Sequence, residues 1–103
     1  MKPVFIVSTY PNKKSILKIA NELVKNKIIA CVNISKIDSV YSWNGEIQNS
    51  PEYIAIFKTV TKNKIILKKI IEETHPYDVS EIAEIDITSI NKSYLNWLIE
   101  STN

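Results

Sequence analysis

The order of strand and helix patterns along these 103 residues predicts an α+β fold with an antiparallel sheet. Runs rich in β-branched and aromatic residues alternate with helical apolar spacing in the order strand-helix-strand-strand-helix-strand, and a further helix pattern closes the chain. An Asn-Gly pair between two apolar strands indicates a tight hairpin. No linker or repeat divides the chain, so residues 1–103 are expected to form one domain of the split βαβ, ferredoxin-like type, with two helices on one sheet face.

The first strand and first helix have clear local signals. The segment PVFIVSTY (3–10) is β-branched and aromatic and predicts a strand. Pro11 and Asn12 interrupt it, and Asn12 can cap a helix. Apolar residues at helical spacing then predict an amphipathic helix over about residues 12–26.

The middle of the chain predicts a long hairpin. IIACVNI (28–34) predicts the second strand, which continues, with a bend, through SVYSW (39–43). Asn44 and Gly45 follow, and both positions of such a turn need positive φ, which Asn and Gly adopt most readily. YIAIFKTV (53–60) predicts the third strand.

The second half predicts helix, strand and helix. Thr61 can cap a helix over about 62–74, and His75 should end it, because a residue before proline is disfavoured in helical geometry. SEIAEIDIT (80–88) predicts the fourth strand, and Asn91 can cap the last helix. The inward positions of the second helix are expected to be Ile66, Leu67, Ile70 and Ile71.

The third strand is apolar on both of its alternating sets. These sets are Tyr53, Ala55 and Phe57 on one side, and Ile54, Ile56 and Val60 on the other. An antiparallel sheet with one wet face should instead alternate apolar and polar residues. Two helices cover only one face, so the sequence predicts a homo-oligomer that covers the other.

Composition argues against several classes of protein. All 13 basic residues are lysines and they are scattered among 11 acidic residues, which disfavours nucleic-acid binding. Cys31 is the single cysteine, so an internal disulfide and a paired-cysteine zinc site are excluded, and it is expected to be a buried apolar residue. No stretch has membrane-spanning length and the apolar run near the start is too short for a signal peptide. We therefore expect a cytoplasmic protein without a membrane partner.

Several segments together resemble the CutA family, the divalent-cation-tolerance proteins, over about Val7 to Leu98. They are ACVNI (30–34), SVYSWNGEI (39–47), KT (58–59), HPYDVSEI (75–82) and NKSYLNWL (91–98). The resemblance implies a PII-like homotrimer of ferredoxin-like subunits whose sheets face inward. It also implies a link to divalent-metal tolerance, with copper binding in some members and no settled catalytic activity.

The resemblance also identifies a metal candidate. The metal pattern of some members has a cysteine where this chain has Ser8, and two adjacent histidines where it has Thr74 and His75. Only His75 remains, so the expected cofactor is at most a weakly held divalent cation such as copper. The alternative role for His75 is structural, as a polar residue that closes a helix.

A cleft between subunits is the second candidate site. Lys58 and Glu81 each lie on an apolar alternation, where a charged group needs a partner. They are expected either to form an ion pair that fixes the fold or trimer, or to anchor a ligand in a pocket walled by Trp43, Tyr77 and Trp97. For the two tryptophans, the alternatives are a subunit contact for Trp43 and helix packing for Trp97.

The leading hypothesis is a non-catalytic trimer that binds divalent cations, and the alternative is a PII-like sensor with a small ligand in its inter-subunit clefts. Binding that chelators abolish would favour the first, and metabolite binding indifferent to chelators would favour the second. We expect no enzyme, because the sequence lacks a Ser-His-Asp spacing, a glycine-rich phosphate loop, a His-Glu metal helix and any arginine. RNA binding of the RRM type is disfavoured, because the third strand lacks the glycine of that motif.

Overall fold

A computed structural model describes all residues from 1 to 103 and contains a four-stranded antiparallel sheet with three helices. Strands β1 to β4 span Pro3–Tyr10, Cys31–Trp43, Glu46–Val60 and Ala83–Asp86, and helices α1 to α3 span Lys13–Lys25, Lys64–Thr74 and Lys92–Ser101. The strand order across the sheet is β2-β3-β1-β4, and every neighbouring pair is antiparallel. The predicted α+β class and antiparallel sheet are confirmed.

Helix α1 forms as its sequence predicts. Asn12 has extended backbone geometry, and its Oδ1 accepts a hydrogen bond from the Ser15 backbone N–H at 2.9 Å. Such a cap typically contributes about 1 kcal/mol. The apolar stripe of the helix faces the sheet, and its buried members are Ile16, Ile19, Ala20 and Leu23.

The hairpin between β2 and β3 is longer than predicted and turns at the predicted residues. Asn44 and Gly45 have φ values of 52° and 78°, as a two-residue turn between twisted strands requires. Pairing runs without interruption from Trp43 opposite Glu46 to Cys31 opposite Lys58. β3 therefore begins seven residues before the predicted start, and the hairpin helps to give the subunit its 45 Å long axis.

The start of α2 differs from the prediction. Thr61 does not cap the helix; it opens a 3₁₀ turn over Thr61–Asn63, and α2 begins at Lys64. Leu67 and Ile71 are fully buried, whereas Ile66 is 49% exposed. Ile66 lies about 100° around the helix axis from Leu67, outside the narrow stripe that contacts the sheet. The prediction that Ile66 points inward is therefore wrong.

β4 is shorter than predicted because it pairs with β1 only opposite Val4 to Val7. It is attached to α2 by Glu84, whose carboxylate binds the ammonium groups of both Lys68 and Lys64. Those two hydrogen bonds lower the pKa of Glu84. The residues before β4, from 75 to 82, form an irregular segment at the end of the sheet.

The two faces of the sheet are covered unequally. The helix-facing side contributes fully or almost fully buried residues to the main core, namely Val4, Ile6, Tyr10, Ala55 and Phe57. Strand pairing places another apolar set on the opposite face, namely Phe5, Val7, Ile54, Ile56 and Ile85. Helix α3 reaches one end of that face, where Lys58 Nζ lies 5.6 Å from the Tyr94 ring centroid. Within one chain the rest of this second face is not covered by a helix.

None of the three helices has both the length and the apolar character that crossing a membrane would require.

Candidate functional site

A cavity of about 470 Å³ lies where the hairpin, the end of β1 and the segment 75–82 meet. Its lining residues are Thr9, Tyr41, Trp43, Glu52, Pro76, Tyr77, Asp78, Val79 and Glu81. His75 makes this arrangement possible, because its extended backbone (φ −71°, ψ 134°) ends α2 as the following proline predicts. The segment then carries Tyr77, Asp78 and Glu81 to the cavity.

His75 lies beside the cavity, and both of its ring nitrogens are hydrogen-bonded. Nδ1 accepts from the Tyr77 backbone N–H at 3.1 Å, and Nε2 lies 3.1 Å from Ser8 Oγ. Since Nδ1 is an acceptor, the neutral ring carries its proton on Nε2 and donates it to Ser8. Burial lowers the pKa of His75, and the nearby Thr9 backbone and Glu52 charge offset part of that effect. His75 is thus a neutral residue that holds the turn in place.

Tyr10 packs against the ring of His75 at this turn. The two rings are stacked with their centroids 4.1 Å apart and an angle of 18° between their planes. The Tyr10 hydroxyl is buried and has no hydrogen-bond partner, and burial raises the pKa of Tyr10 to about 12, partly offset by Ser8. Tyr10 therefore stays protonated and acts through stacking rather than through proton transfer.

Glu52 is the most buried carboxylate at the cavity. Its residue exposure is 9%, and its Oε2 accepts a hydrogen bond of 2.6 Å from the Tyr77 hydroxyl. Burial, this hydrogen bond and the Glu52 charge raise the pKa of Tyr77, so the phenol remains a donor. No lysine forms an ion pair with Glu52. The cavity is therefore lined by a buried anionic group without a cationic partner in the chain.

The cavity combines aromatic rings with further carboxylates. Tyr41 and Trp43 project from β2, and Trp43 is 52% exposed. Asp78 and Glu81 add two exposed carboxylates, and no lysine is among the lining residues. The arrangement is apolar on its aromatic walls and negative elsewhere.

Negative charge is concentrated around the cavity, and positive charge is concentrated in the first two helices. The two segments that build most of the cavity, 36–52 and 75–82, contain five carboxylates and one lysine. The segments of the first two helices, 12–27 and 61–74, contain nine lysines and three glutamates. The field of the molecule therefore favours positive solutes at the cavity.

The structure brings together three of the five residues predicted for the cleft. Trp43, Tyr77 and Glu81 line the cavity, and His75 lies next to it. Lys58 and Trp97 lie elsewhere in the chain. Lys58 Nζ is 5.2 Å from the Phe5 ring centroid, and the Trp97 ring lies 5.4 Å from the ring of Tyr94.

The ion pair predicted between Lys58 and Glu81 does not form within the chain. Lys58 lies on β3, whereas Glu81 lies outside β4, in the irregular segment that precedes it. The positive charge of Lys58 is instead placed over the Phe5 and Tyr94 rings. A role for Lys58 and Trp97 in a cleft between subunits stays a prediction.

Sequence reasoning missed Glu52, and a signal for it was present. Glu52 falls on the same alternation as Ile54 and Ile56, so it is a carboxylate next to apolar residues on one face of the strand. The third strand was predicted to start at residue 53, which left Glu52 outside it. Extending the hairpin back to its turn would have identified the residue.

The donor groups of one chain do not form a resident metal centre. No group of three or more His, Cys, Asp or Glu side chains is placed to hold a metal ion. His75 could ligate through Nε2 only by giving up its hydrogen bond to Ser8. Cys31 is half-buried rather than buried, and it lies opposite Lys58 in the hairpin.

Comparison with known proteins agrees with this fold over its whole length. Residues 4–101 match the family model described as CutA1 divalent ion tolerance protein. The divalent-cation tolerance protein CutA of Pyrococcus horikoshii is 39% identical over 99 residues, which is 96% of this chain and 97% of that protein. The CutA1 structure from Ehrlichia chaffeensis is 37% identical with a TM-score of 0.93, covering 100% of this chain and 98% of that one.

A second similar structure has a location in its description. It is the periplasmic divalent cation tolerance protein CutA from Archaeoglobus fulgidus, with 31% identity, a TM-score of 0.91, and coverage of 98% of this chain and 99% of that one. Identity above 30% over nearly complete chains, together with the family match, leaves one assignment. This chain belongs to the CutA1 family of divalent ion tolerance proteins.

Proposed function

We propose that this protein acts in divalent-cation tolerance as a non-enzymatic homotrimer that binds cations such as copper weakly and reversibly. The observation that carries the proposal is the acidic cavity, with Glu52, Asp78 and Glu81 on its walls and no lysine among its lining residues. Scattered carboxylates attract divalent ions without enclosing them, so a modest affinity is expected. We include a cytoplasmic location in the proposal, and cell fractionation would test it.

Self-association is supported by the uncovered sheet face. Phe5, Val7, Ile54 and Ile56 form a continuous apolar set on β1 and β3, and neighbouring Ile85 is 45% exposed. Burying a fully exposed aliphatic or aromatic side chain contributes about 1.5–3 kcal/mol. These residues are already half-buried within one chain, so each would contribute only part of that energy. Together they still favour association, and three copies arranged as in PII proteins would bury these faces against one another.

Weak metal binding is supported by the surroundings of His75. A cation at its Nε2 would have to replace the hydrogen bond to the buried Ser8, and a second and third donor would have to come from another subunit or from water. Copper affinity depends on the number and softness of ligands. One imidazole with distant carboxylates therefore fits transient binding rather than storage.

Calorimetric titration of the purified protein with Cu²⁺ and Zn²⁺ tests the proposal, together with sedimentation velocity on the same samples. We expect a trimer, and a weak binding isotherm that EDTA abolishes and that His75→Ala reduces. Glu22→Ala, a change in the exposed part of α1, is the matched control. A stable monomer, or metal binding that is equal in all three proteins, would contradict the proposal.

The cavity also supports a second candidate, a PII-like sensor that binds a small molecule in its clefts. A volume of about 470 Å³ with aromatic walls lies in the size range of small-molecule sites. Saturable binding of a metabolite that persists in EDTA would favour this candidate. Binding that disappears on chelation would favour the first.

A further inference from the structure

We infer that Asn44, in the turn of the hairpin, is a site of spontaneous deamidation at which the folded protein acquires aspartate or isoaspartate. This modification site does not depend on metal or ligand binding, so it goes beyond the proposed function. Three features of the turn carry the inference: the residue that follows Asn44, the lack of hydrogen bonds to both reacting groups, and their exposure to water.

The reaction joins two neighbouring groups of the turn. The backbone nitrogen of Gly45 attacks the side-chain Cγ of Asn44, and a C–N bond forms. The side-chain amide nitrogen leaves as ammonia, with the proton that the Gly45 nitrogen loses. Water then opens the resulting succinimide ring, at the side-chain carbonyl to give aspartate or at the main-chain carbonyl to give isoaspartate. The net change consumes water and releases ammonia, so it requires no oxidant, metal or enzyme.

The first feature is the glycine that follows Asn44. Gly45 is the single glycine of the chain, so every other internal asparagine precedes a residue with a side chain. A side chain on that residue crowds the attacking nitrogen, and glycine has none. The space beside Gly45 is also open, since no atom lies within 4 Å of the position that a Cβ would occupy.

The second feature is that both reacting groups are free of hydrogen bonds. The Gly45 N–H donates to no backbone oxygen. The asparagine side chains that are hydrogen-bonded are those of Asn12, Asn63 and Asn91, and that of Asn44 is not among them. The amide of Asn44 can therefore rotate towards the Gly45 nitrogen without breaking a hydrogen bond.

The third feature is the position of the turn at the tip of the hairpin. Asn44 and Gly45 are both exposed, and neither lines the cavity. Ile54, on the apolar face through which association is proposed, lies eight residues along β3 from Glu46. That separation is roughly 27 Å at the rise of an antiparallel strand. The turn is therefore distant from this apolar set and accessible to water within the chain.

Ageing of the purified protein at mildly alkaline pH, followed by peptide mapping with mass spectrometry, tests the inference. Asn49 is an internal control, because it is exposed on the same hairpin but lies within β3 and precedes Ser50. We expect Asn44 to be lost faster than Asn49 by about tenfold or more, because only Gly45 lacks the side chain that obstructs attack. An isoaspartyl methyltransferase should label the product at position 44. Equal survival of Asn44 and Asn49 would overturn the inference.

A parallel sample in guanidinium chloride separates the effect of the sequence from that of the fold. The paired strands restrict rotation of the turn, so we expect Asn44 to react more slowly in the folded protein than in the unfolded chain. A measurable rate in the folded protein supports the inference. A reaction that occurs only in the unfolded chain overturns it, because the paired strands would then prevent the attack.

The modification should also disturb the tip of the hairpin. Isoaspartate inserts an additional methylene into the backbone of a turn that now pairs Trp43 with Glu46, so Trp43 should become more exposed. In the Trp97→Phe background, Trp43 is the only tryptophan, and its fluorescence should shift to longer wavelength as the protein ages. Asn44→Gln in that background is the matched control, because glutamine would have to form a larger ring, and its fluorescence should stay constant. An equal shift in both proteins would contradict the assignment to Asn44.

Discussion

The hydrogen bond between Tyr77 and Glu52 makes a quantitative prediction about the site. Tyr77→Phe removes the hydroxyl that donates to Glu52 Oε2 at 2.6 Å and leaves the ring in place. Hydrogen bonds to charged groups contribute about 1.5–3 kcal/mol to stability. Because Glu52 lines an open cavity, water can replace part of the lost bond, so we expect a loss of about 1.5–2 kcal/mol.

Urea unfolding at a fixed protein concentration measures this loss, since self-association would make the midpoint depend on concentration. A double-mutant cycle with Glu52→Ala isolates the pairwise energy, which should be about 1 kcal/mol or more. Tyr41→Phe is the matched control, because the Tyr41 hydroxyl lies in the same cavity but only 3.4 Å from Ser50 Oγ at an exposed position. It should change the free energy of unfolding by less than about 0.5 kcal/mol.

Two results would refute this reasoning. A coupling energy below about 0.5 kcal/mol would mean that Tyr77 and Glu52 behave as independent residues. An equal loss in Tyr77→Phe and Tyr41→Phe would mean that any hydroxyl in the cavity contributes alike. In either case the hydrogen bond from Tyr77 to Glu52 would not be a specific source of stability.

Three further predictions address the turn, the second face and the hairpin. Burial lowers the pKa of His75 below 6.5, so as the pH falls the unfolded chain binds a proton at His75 before the folded chain does. The free energy of unfolding should therefore fall from about pH 7 down to the pKa of the folded state and then level off. His75→Asn, which keeps an acceptor near Nδ1, should lose that step in urea unfolding at pH 7.5 and 5.5, and a retained step would contradict the sign. Ile56→Lys on the second face should shift sedimentation towards the monomer and leave the circular dichroism unchanged. Ile65→Lys, at an exposed position of α2, should leave the sedimentation unchanged as well. Equal sedimentation of the two variants would count against association through this face. Gly45→Ala should cost about 1 kcal/mol in thermal unfolding from its φ of 78° alone, since no atom lies within 4 Å of the added methyl; a loss above about 3 kcal/mol would point to packing instead.

Local sequence signals predicted the elements whose geometry is set by nearby residues. Asn12 caps α1 through a bond to a residue three positions away, and Asn44 and Gly45 form the turn that their φ preferences indicate. His75 ends α2 because of the proline that follows it. These features depend on short-range sterics and hydrogen bonds, so a single sequence is sufficient to find them.

The grouping of the site residues depends on long-range register, which alternation alone does not determine. Alternation correctly marked Lys58 as a charged residue on an apolar strand, but it could not show that β4 would begin after Glu81 and leave that residue in the irregular segment. It likewise could not show that Tyr77, from the irregular segment, would reach Glu52 on β3. The start of α2 was missed for a similar reason, since the 3₁₀ turn is held by Asn63, whose side chain donates to the backbone oxygens of Lys27 and Ile28.

Because the pairing of β2 with β3 is unbroken, the number of residues in this hairpin decides which side chains face the cavity. Tyr41 and Trp43 both line the cavity because alternate residues of β2 face the same side of the hairpin. Removing or adding one residue in β2 between the sheet and the turn would present Val40 and Ser42 there instead. Insertions and deletions in this arm are therefore expected to abolish ligand recognition in chains that still fold, whereas most single replacements would only adjust it.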